Sequence, residues 1–127
     1  MSVEDVREPT LLVLSALATG AKHGYALMEA AADLSGGRVR LKPGSLYATL
    51  DRLEREGLVH ESGTEVVAGR HRRYYELTDA GAEALSGQVA RLERLAATAS
   101  EALRRRLVVR TRPSREPAVG EPDGGLL

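Results

Sequence analysis

The sequence predicts a mainly α (α+β) fold in which three short helices, one β-hairpin and a long final helix follow one another. Three observations carry this. Three short apolar-rich stretches are each closed by glycine, at Gly20, Gly36-Gly37 and Gly57. Two runs rich in aromatic, β-branched or alternating residues, Leu58–Ser62 and Arg72–Leu77, flank Gly63 and Gly69. Beyond Thr78, apolar residues recur in alternating steps of four and three. A chain of 127 residues suits one domain with a tail and excludes a large multidomain enzyme.

The first helix opens at Pro9, a residue suited to a first turn because its missing N–H would have no partner there. Leu11, Leu12, Val13, Leu14 and Leu17 surround it, so burial is expected on more than one side, with a partner chain supplying the second. The second helix runs from about His23 to Ser35. Tyr25, Leu27, Met28, Ala31, Ala32 and Leu34 are its apolar positions, and Tyr25 is expected in the core. The third spans Lys42 to Gly57. Its leucines, Leu46, Leu50 and Leu53, form one narrow stripe. Counting 100° per residue, the opposite surface carries Gly44, Ala48, Arg52 and Arg55, with Ser45 and Tyr47 on its shoulders.

The two short strands form a hairpin with a long glycine-containing tip, Arg73, Tyr75 and Leu77 sharing one face and Arg72, Tyr74 and Glu76 the other. Thr78 is the expected N-cap of the final helix. That helix reaches about Leu107 and carries Leu85, Val89, Leu92, Ala96, Ala99 and Leu103 at the spacing of a coiled-coil seam, which needs a partner. From Arg112 onward, Pro113, Pro117, Pro122, Gly120, Gly124 and Gly125 replace apolar residues, and disorder is expected.

Function classes narrow quickly. Lys+Arg and Asp+Glu are 18 each, so any nucleic-acid affinity has to come from local charge. Between residues 38 and 75 there are eight Arg/Lys against five acids. With no Cys, disulfides, thiolate catalysis and the common zinc-finger patterns are excluded. His23, His60 and His71 are scattered, and His60 and His71 facing each other across the hairpin would still lack a third ligand, so no metal and no cofactor are expected. No nucleophile–base pair, carboxylate pair or glycine-rich phosphate loop of nucleotide-binding spacing appears, and the chain is not read as an enzyme. An acidic start and the lack of 18 uninterrupted apolar residues lead to the expectation of a cytoplasmic protein with no membrane partner.

The order of elements is that of a winged helix-turn-helix domain followed by a long C-terminal dimerisation helix. Specific residues go further. Pro43-Gly-Ser-Leu-Tyr-Ala-Thr-Leu-Asp-Arg-Leu-Glu-Arg-Glu-Gly-Leu-Val59, His23-Gly-Tyr-Ala-Leu27 and Gly69-Arg-His-Arg-Arg-Tyr-Tyr-Glu-Leu-Thr-Asp-Ala-Gly81 resemble, in order and spacing, three signatures of the PadR family of bacterial transcriptional regulators. The resemblance covers about residues 9 to 107, and the single C-terminal helix looks like the short subfamily. The domain division expected is a DNA-binding domain at 9–77 and a dimerisation helix at 78–111, with an N-terminal arm at 1–8 and a tail at 112–127 outside the resemblance. Lys42 departs from the Ser or Thr often found at that cap in the family, giving up a capping bond and adding a cation.

The function expected is a homodimeric DNA-binding regulator, a repressor on a pseudo-palindromic operator. Lys42, Gly44, Ser45, Tyr47, Ala48, Thr49 and Arg52 would enter the major groove, and Arg70, His71, Arg72 and Arg73 would extend the wing to the backbone or minor groove. Arg52 and Arg55 alternate with Glu54 and Glu56, a pattern that serves intrahelical ion pairs equally well. Arg104, Arg105 and Arg106 read as a solvated helix end at the negative pole of the dipole, with contact to DNA as the alternative. Leu11, Leu14, Leu85, Val89, Leu92, Ala96, Ala99 and Leu103 would form the dimer. A small-molecule effector would find no Trp or Phe to stack on, leaving an aliphatic pocket of Leu11, Leu14, Leu92 and Leu95. The alternative is a winged-helix protein-interaction module that never meets DNA.

Overall fold

The structure, a computed structural model, describes residues 7–111. Its elements are α1 (Glu8–Leu17), β1 (Lys22–His23), α2 (Gly24–Leu34), α3 (Pro43–Arg55), β2 (Val59–Val67), β3 (Arg70–Leu77) and α4 (Asp79–Thr111). Three helices, a hairpin and a long helix stand in the expected order. The chain forms two compact units, one ending at Ala90 and one starting at Arg91, so the first turns of α4 belong with the helices and the sheet. The expected tail at 112–127 and most of the expected arm at 1–8 lie outside the described residues.

The core gathers Val13, Leu14, Ala16 and Leu17 of α1, Leu27 and Ala31 of α2, Leu46, Leu50 and Leu53 of α3, and Val59 and Tyr75 of the sheet. Burying an aliphatic or aromatic side chain of this size favours folding by roughly 1.5–3 kcal/mol. The stripe read on the third helix is fully buried. Two sequence expectations are corrected here. Leu14 is only 1% exposed within its own chain, so it supplies core packing and offers no surface to a second subunit or to an effector; Leu11 is half-buried. Tyr25 is 62% exposed. Leu27 and Ala31 set the inward face of α2, and Tyr25, two residues before Leu27, sits about 200° away around the helix.

The helix ends follow from backbone chemistry. After α2, Gly36 and Gly37 adopt positive φ, and their N–H groups donate to Asp33 and Ala32 carbonyls at 3.1 and 2.7 Å. After α3, Gly57 (φ 77°) does the same, with Gly57 N–H donating to Glu54 and Leu58 N–H to Leu53. Both are Schellman closures, which glycine makes without a Cβ penalty. Thr78 caps α4 as expected: its Oγ1 accepts from Gly81 N–H at 3.0 Å and donates to the Gly57 carbonyl at 2.6 Å. At the start of α1, Glu8 pairs with Arg38 in the linker before α3.

The sheet is antiparallel in the order β1-β3-β2. Its hairpin differs from the expectation. The strands run on to a two-residue turn, Ala68-Gly69, instead of stopping at a long tip. Both turn residues have positive φ (52° and 77°), the backbone of a turn whose twist matches that of the flanking strands. A register shift between Glu61 and Gly63 admits the extra residue Ser62, so Gly63 lies within a strand. The short strand β1, unforeseen in the sequence, pairs Lys22 with Tyr75 and His23 with Tyr74.

Two measurements check this account. A Cβ on Gly81 would lie 2.0 Å from the Leu58 carbonyl oxygen, whereas one on Gly87 meets nothing. Gly81→Ala should therefore destabilise by about 1–3 kcal/mol, while Gly87→Ala should stabilise by about 0.5–1 kcal/mol, both read by denaturant unfolding. The hydrogen bond from Arg38 holds the Glu8 carboxyl below the usual carboxylate range. A depressed acid adds stability above its unfolded pKa and loses it as pH falls through the folded value. Wild type should melt slightly above Glu8→Gln at pH 7, and the gap should close below about pH 4.

Candidate nucleic-acid interface

The buried stripe of α3 turns its opposite surface outward. Lys42 ends an extended linker (φ −88°, ψ 153°) and occupies the N-cap position without a side-chain cap, with Pro43 following in the first turn. Lys42, Gly44, Ser45 and Ala48 are exposed and Thr49 is half-buried. A Cβ on Gly44 would meet nothing within the chain, so nothing inside the protein requires glycine there. Lys42, Ser45, Ala48, Thr49 and Arg52 line one cleft. Arg52 is less free than its neighbours: it donates to Thr10 Oγ1 at 2.7 Å and pairs with Glu56 at 3.6 Å. Of the two roles read for it in the sequence, the intrahelical ion pair is present.

Tyr47 leans off the flank of α3 toward the start of α2. A Cβ on the buried Gly24 would come within 2.3 Å of its hydroxyl, so the phenol fits only because residue 24 has no side chain. Arg73 lies over the rings of both Tyr47 and Tyr75, at 5.7 and 5.8 Å, and approaches Glu61 at 3.9 Å. Its charge is thus partly held by two ring faces and a carboxylate, unlike the freely extended cation expected at the wing. Beneath it the Tyr75 hydroxyl is buried with no hydrogen-bond partner in the described structure, and burial pushes that phenol above its ordinary pKa.

On β3, Arg70 and Arg72 share one face and His71 and Arg73 the other, and all four are exposed. Arg70 and His71 belong to the strand itself, opposite Val67 and Val66, and not to a loop. Arg72 stands across from Glu65, whose carboxylate accepts the Tyr74 hydroxyl at 2.8 Å and raises that phenol's pKa. His60 and His71 are not neighbours: His60 lies 3.2 Å from Glu76, its register partner. Among the described residues there is no group of three side chains that could hold a metal ion.

One organising residue escaped the sequence reading. His23 caps α2, its Nδ1 accepting from Ala26 N–H at 3.3 Å. That bond leaves the proton of a neutral ring on Nε2, so the 3.5 Å approach of Arg72 Nη1 is a contact between donors and not a hydrogen bond. The His23 ring also meets Tyr74 edge-on at 5.4 Å. Histidine is not among the common capping residues, so although His23 opens the helix and one of the quoted signatures, its capping role is not legible from residue type.

The surface described so far consists of one helix face and one adjacent strand pair, both presented by a helix-turn-helix core. The model of the PadR-like transcriptional regulator family matches residues 13–87. The chain belongs to this family. PadR-like proteins are transcriptional regulators and not enzymes, and the winged-helix arrangement is their DNA-binding fold. Transcriptional regulator Rv3488 of Mycobacterium tuberculosis is 43% identical over 86 residues, covering 68% of this chain and 77% of that protein. An uncharacterized 37.1 kDa protein of transposon TN4556 from Streptomyces fradiae is 45% identical over 85 residues, 67% of this chain but 23% of the longer one. The crystal structure of a PadR family regulator from Eggerthella lenta superposes with a TM-score of 0.60 at 29% identity, covering 74% of this chain and 80% of the other. Among the described residues no helix is long and apolar enough to cross a membrane.

The packing of Tyr47 on Gly24 is open to a double-mutant cycle. Gly24→Ala should cost about 1 kcal/mol or more in the wild-type background, because the phenol must swing away and leave Arg73. In a Tyr47→Ala background the same substitution should cost measurably less. Equal costs would show that the two residues do not interact.

Proposed function

We propose that this PadR-like chain is a homodimeric repressor whose two copies of α3 enter successive major grooves of a pseudo-palindromic operator, half-sites about one helical turn apart. The observation that carries the reading is the division of α3. Leu46, Leu50 and Leu53 are fully buried, while Lys42, Gly44, Ser45 and Ala48 stand exposed at its N-terminal end. In the groove, Ser45 and Thr49 read base edges, Lys42 and Tyr47 bind phosphate, and Gly44 and Ala48 allow the backbone to approach. Arg70 and Arg72, with His71, reach the neighbouring sugar–phosphate backbone from the wing. Arg52 and Arg73 position the surface through Thr10, Glu56 and the two tyrosines, and add charge to it.

Support for the dimer is the apolar seam of α4. Val89 and Leu92 are 43% exposed and Leu103 is 64% exposed, with Ala96 and Ala99 between them also exposed. Such a seam is stable in water when a second copy covers it. A small-molecule effector acting on this seam would change the separation of the two α3 helices and release the operator.

A salt titration separates this reading from a protein-interaction module. With roughly 6–10 phosphate contacts per dimer, affinity for a duplex from the chain's own upstream region should fall about a thousandfold or more between 50 and 200 mM salt. A flat response would sink the DNA-binding reading. Arg72→Ala should weaken specific and random duplexes alike, by about tenfold, whereas Ser45→Ala and Thr49→Ala should change which sequences bind. Sedimentation should show two subunits at micromolar concentration, and a lone subunit there would remove the dimer.

A further inference from the structure

The cations around the first and third helices are not employed alike. Arg38 is committed to Glu8, and Arg52 to Glu56 and Thr10. Arg7, Arg40 and Lys42 enter no ion pair among the described residues. All three are exposed, yet they share one place. Together with Arg52 they line a cleft of about 600 Å³ between the start of α1 and the outer surface of α3. Thr10, Ser45 and Thr49 add hydroxyl groups to its wall, and among the described residues no acidic side chain lines it.

Gathering like charges costs Coulomb energy that a bound anion returns. The nearest acid in α1, Glu8, is turned to Arg38, which keeps its carboxylate ionised and its charge already matched. Neither helix start beside the cleft is capped by a side chain, because Arg7 and Lys42 occupy the two cap positions. Their uncapped first-turn N–H groups add positive potential to that of the side chains. Guanidinium groups present paired donors that match phosphate oxygens, and Lys42 contributes a compact point charge.

The geometry points to a phosphate-binding cleft, held by Arg7, Arg40 and Lys42, that takes a phosphate ester beside the surface of α3. The ester has two sources of the same chemistry. One is the backbone of the duplex, an extension of the DNA contact that rests on the function proposed above. The other is a free phosphorylated compound, since the cleft has the size of a small-molecule site. A compound seated on Lys42 and Ser45 would exclude the duplex from the same atoms.

The test uses the full chain and an Arg7→Gln/Arg40→Gln variant, with Arg94→Gln as a charge control remote in sequence. Duplex affinity is followed across 50–200 mM salt, and pyrophosphate is titrated into the free protein while amide signals of Gly44 and Ser45 are monitored by NMR. Arg7 and Arg40 are exposed, so the double variant should melt as wild type does. Loss of one phosphate contact per protomer should make the slope of log affinity against log salt shallower by about two per dimer, while Arg94→Gln leaves it unchanged. If the slope falls and pyrophosphate moves nothing, the duplex backbone is the ligand. If pyrophosphate moves the two signals in wild type and not in the variant, a free phosphate compound is a ligand as well. An unchanged slope, together with a pyrophosphate response that is absent or survives in the variant, overturns the cleft. Should Arg72→Ala still weaken the duplex in that case, the DNA-binding function stands without it; should neither variant change duplex binding, both fall.

Discussion

Three leucines on one side of α3 govern what the rest of the chain can present. Leu46, Leu50 and Leu53 have no exposed surface, and they meet α1, α2 and the sheet in one core. Because a helix turns 100° per residue, fixing that stripe fixes where Lys42, Ser45, Ala48 and Thr49 point. Removing one leucine side chain would cost about 2–5 kcal/mol, a large share of the stability of a domain this size. The outward surface is therefore as firmly set as the core, although Lys42, Ser45 and Ala48 on it are themselves exposed.

Charge is distributed by a different logic. Arg38, Arg52 and Arg73 each have a carboxylate partner, and each of those arginines joins elements distant in sequence or stiffens the end of a helix. Exposed ion pairs of this kind add little to stability. Their larger effect is to remove carboxylates from competition with an incoming anion. Glu8 is turned to Arg38 in this way, and among the described residues no acidic side chain lines the cleft that holds Arg7, Arg40 and Lys42. A chain with no net charge can in this way keep a basic surface.

Much of this was legible in the sequence because it depends on local rules. The glycines after α2 and α3, the cap at Thr78, the leucine stripe and the presence of the long helix α4 each follow from spacing or from a single residue's backbone freedom. What was not legible depends on neighbours distant in the chain. Leu14 has the same character as Leu11, and only the approach of the other helices buries it. The two-residue strand β1 has no pattern of its own and exists because Tyr74 and Tyr75 offer it an edge. The tip of the hairpin was misread because Gly63 resembles a turn signal while Ala68, the residue that does turn, does not. Arg73 differs from Arg72 by one position, yet the pleat sends it onto Tyr47 and Tyr75.

The joint formed by Gly57, Leu58, Thr78 and Gly81 links the end of α3 to the start of α4. Thr78 binds the Gly57 carbonyl, Thr78 N–H binds the Leu58 carbonyl, and Gly81 packs directly on that same carbonyl. One side-chain hydroxyl and three backbone groups thus hold the closing turn of α3 against the opening turn of α4 in a short hydrogen-bonded elbow. A displacement of the opening turn of α4 is therefore felt at the closing turn of α3, beside the buried Leu53 that ties that helix to the core.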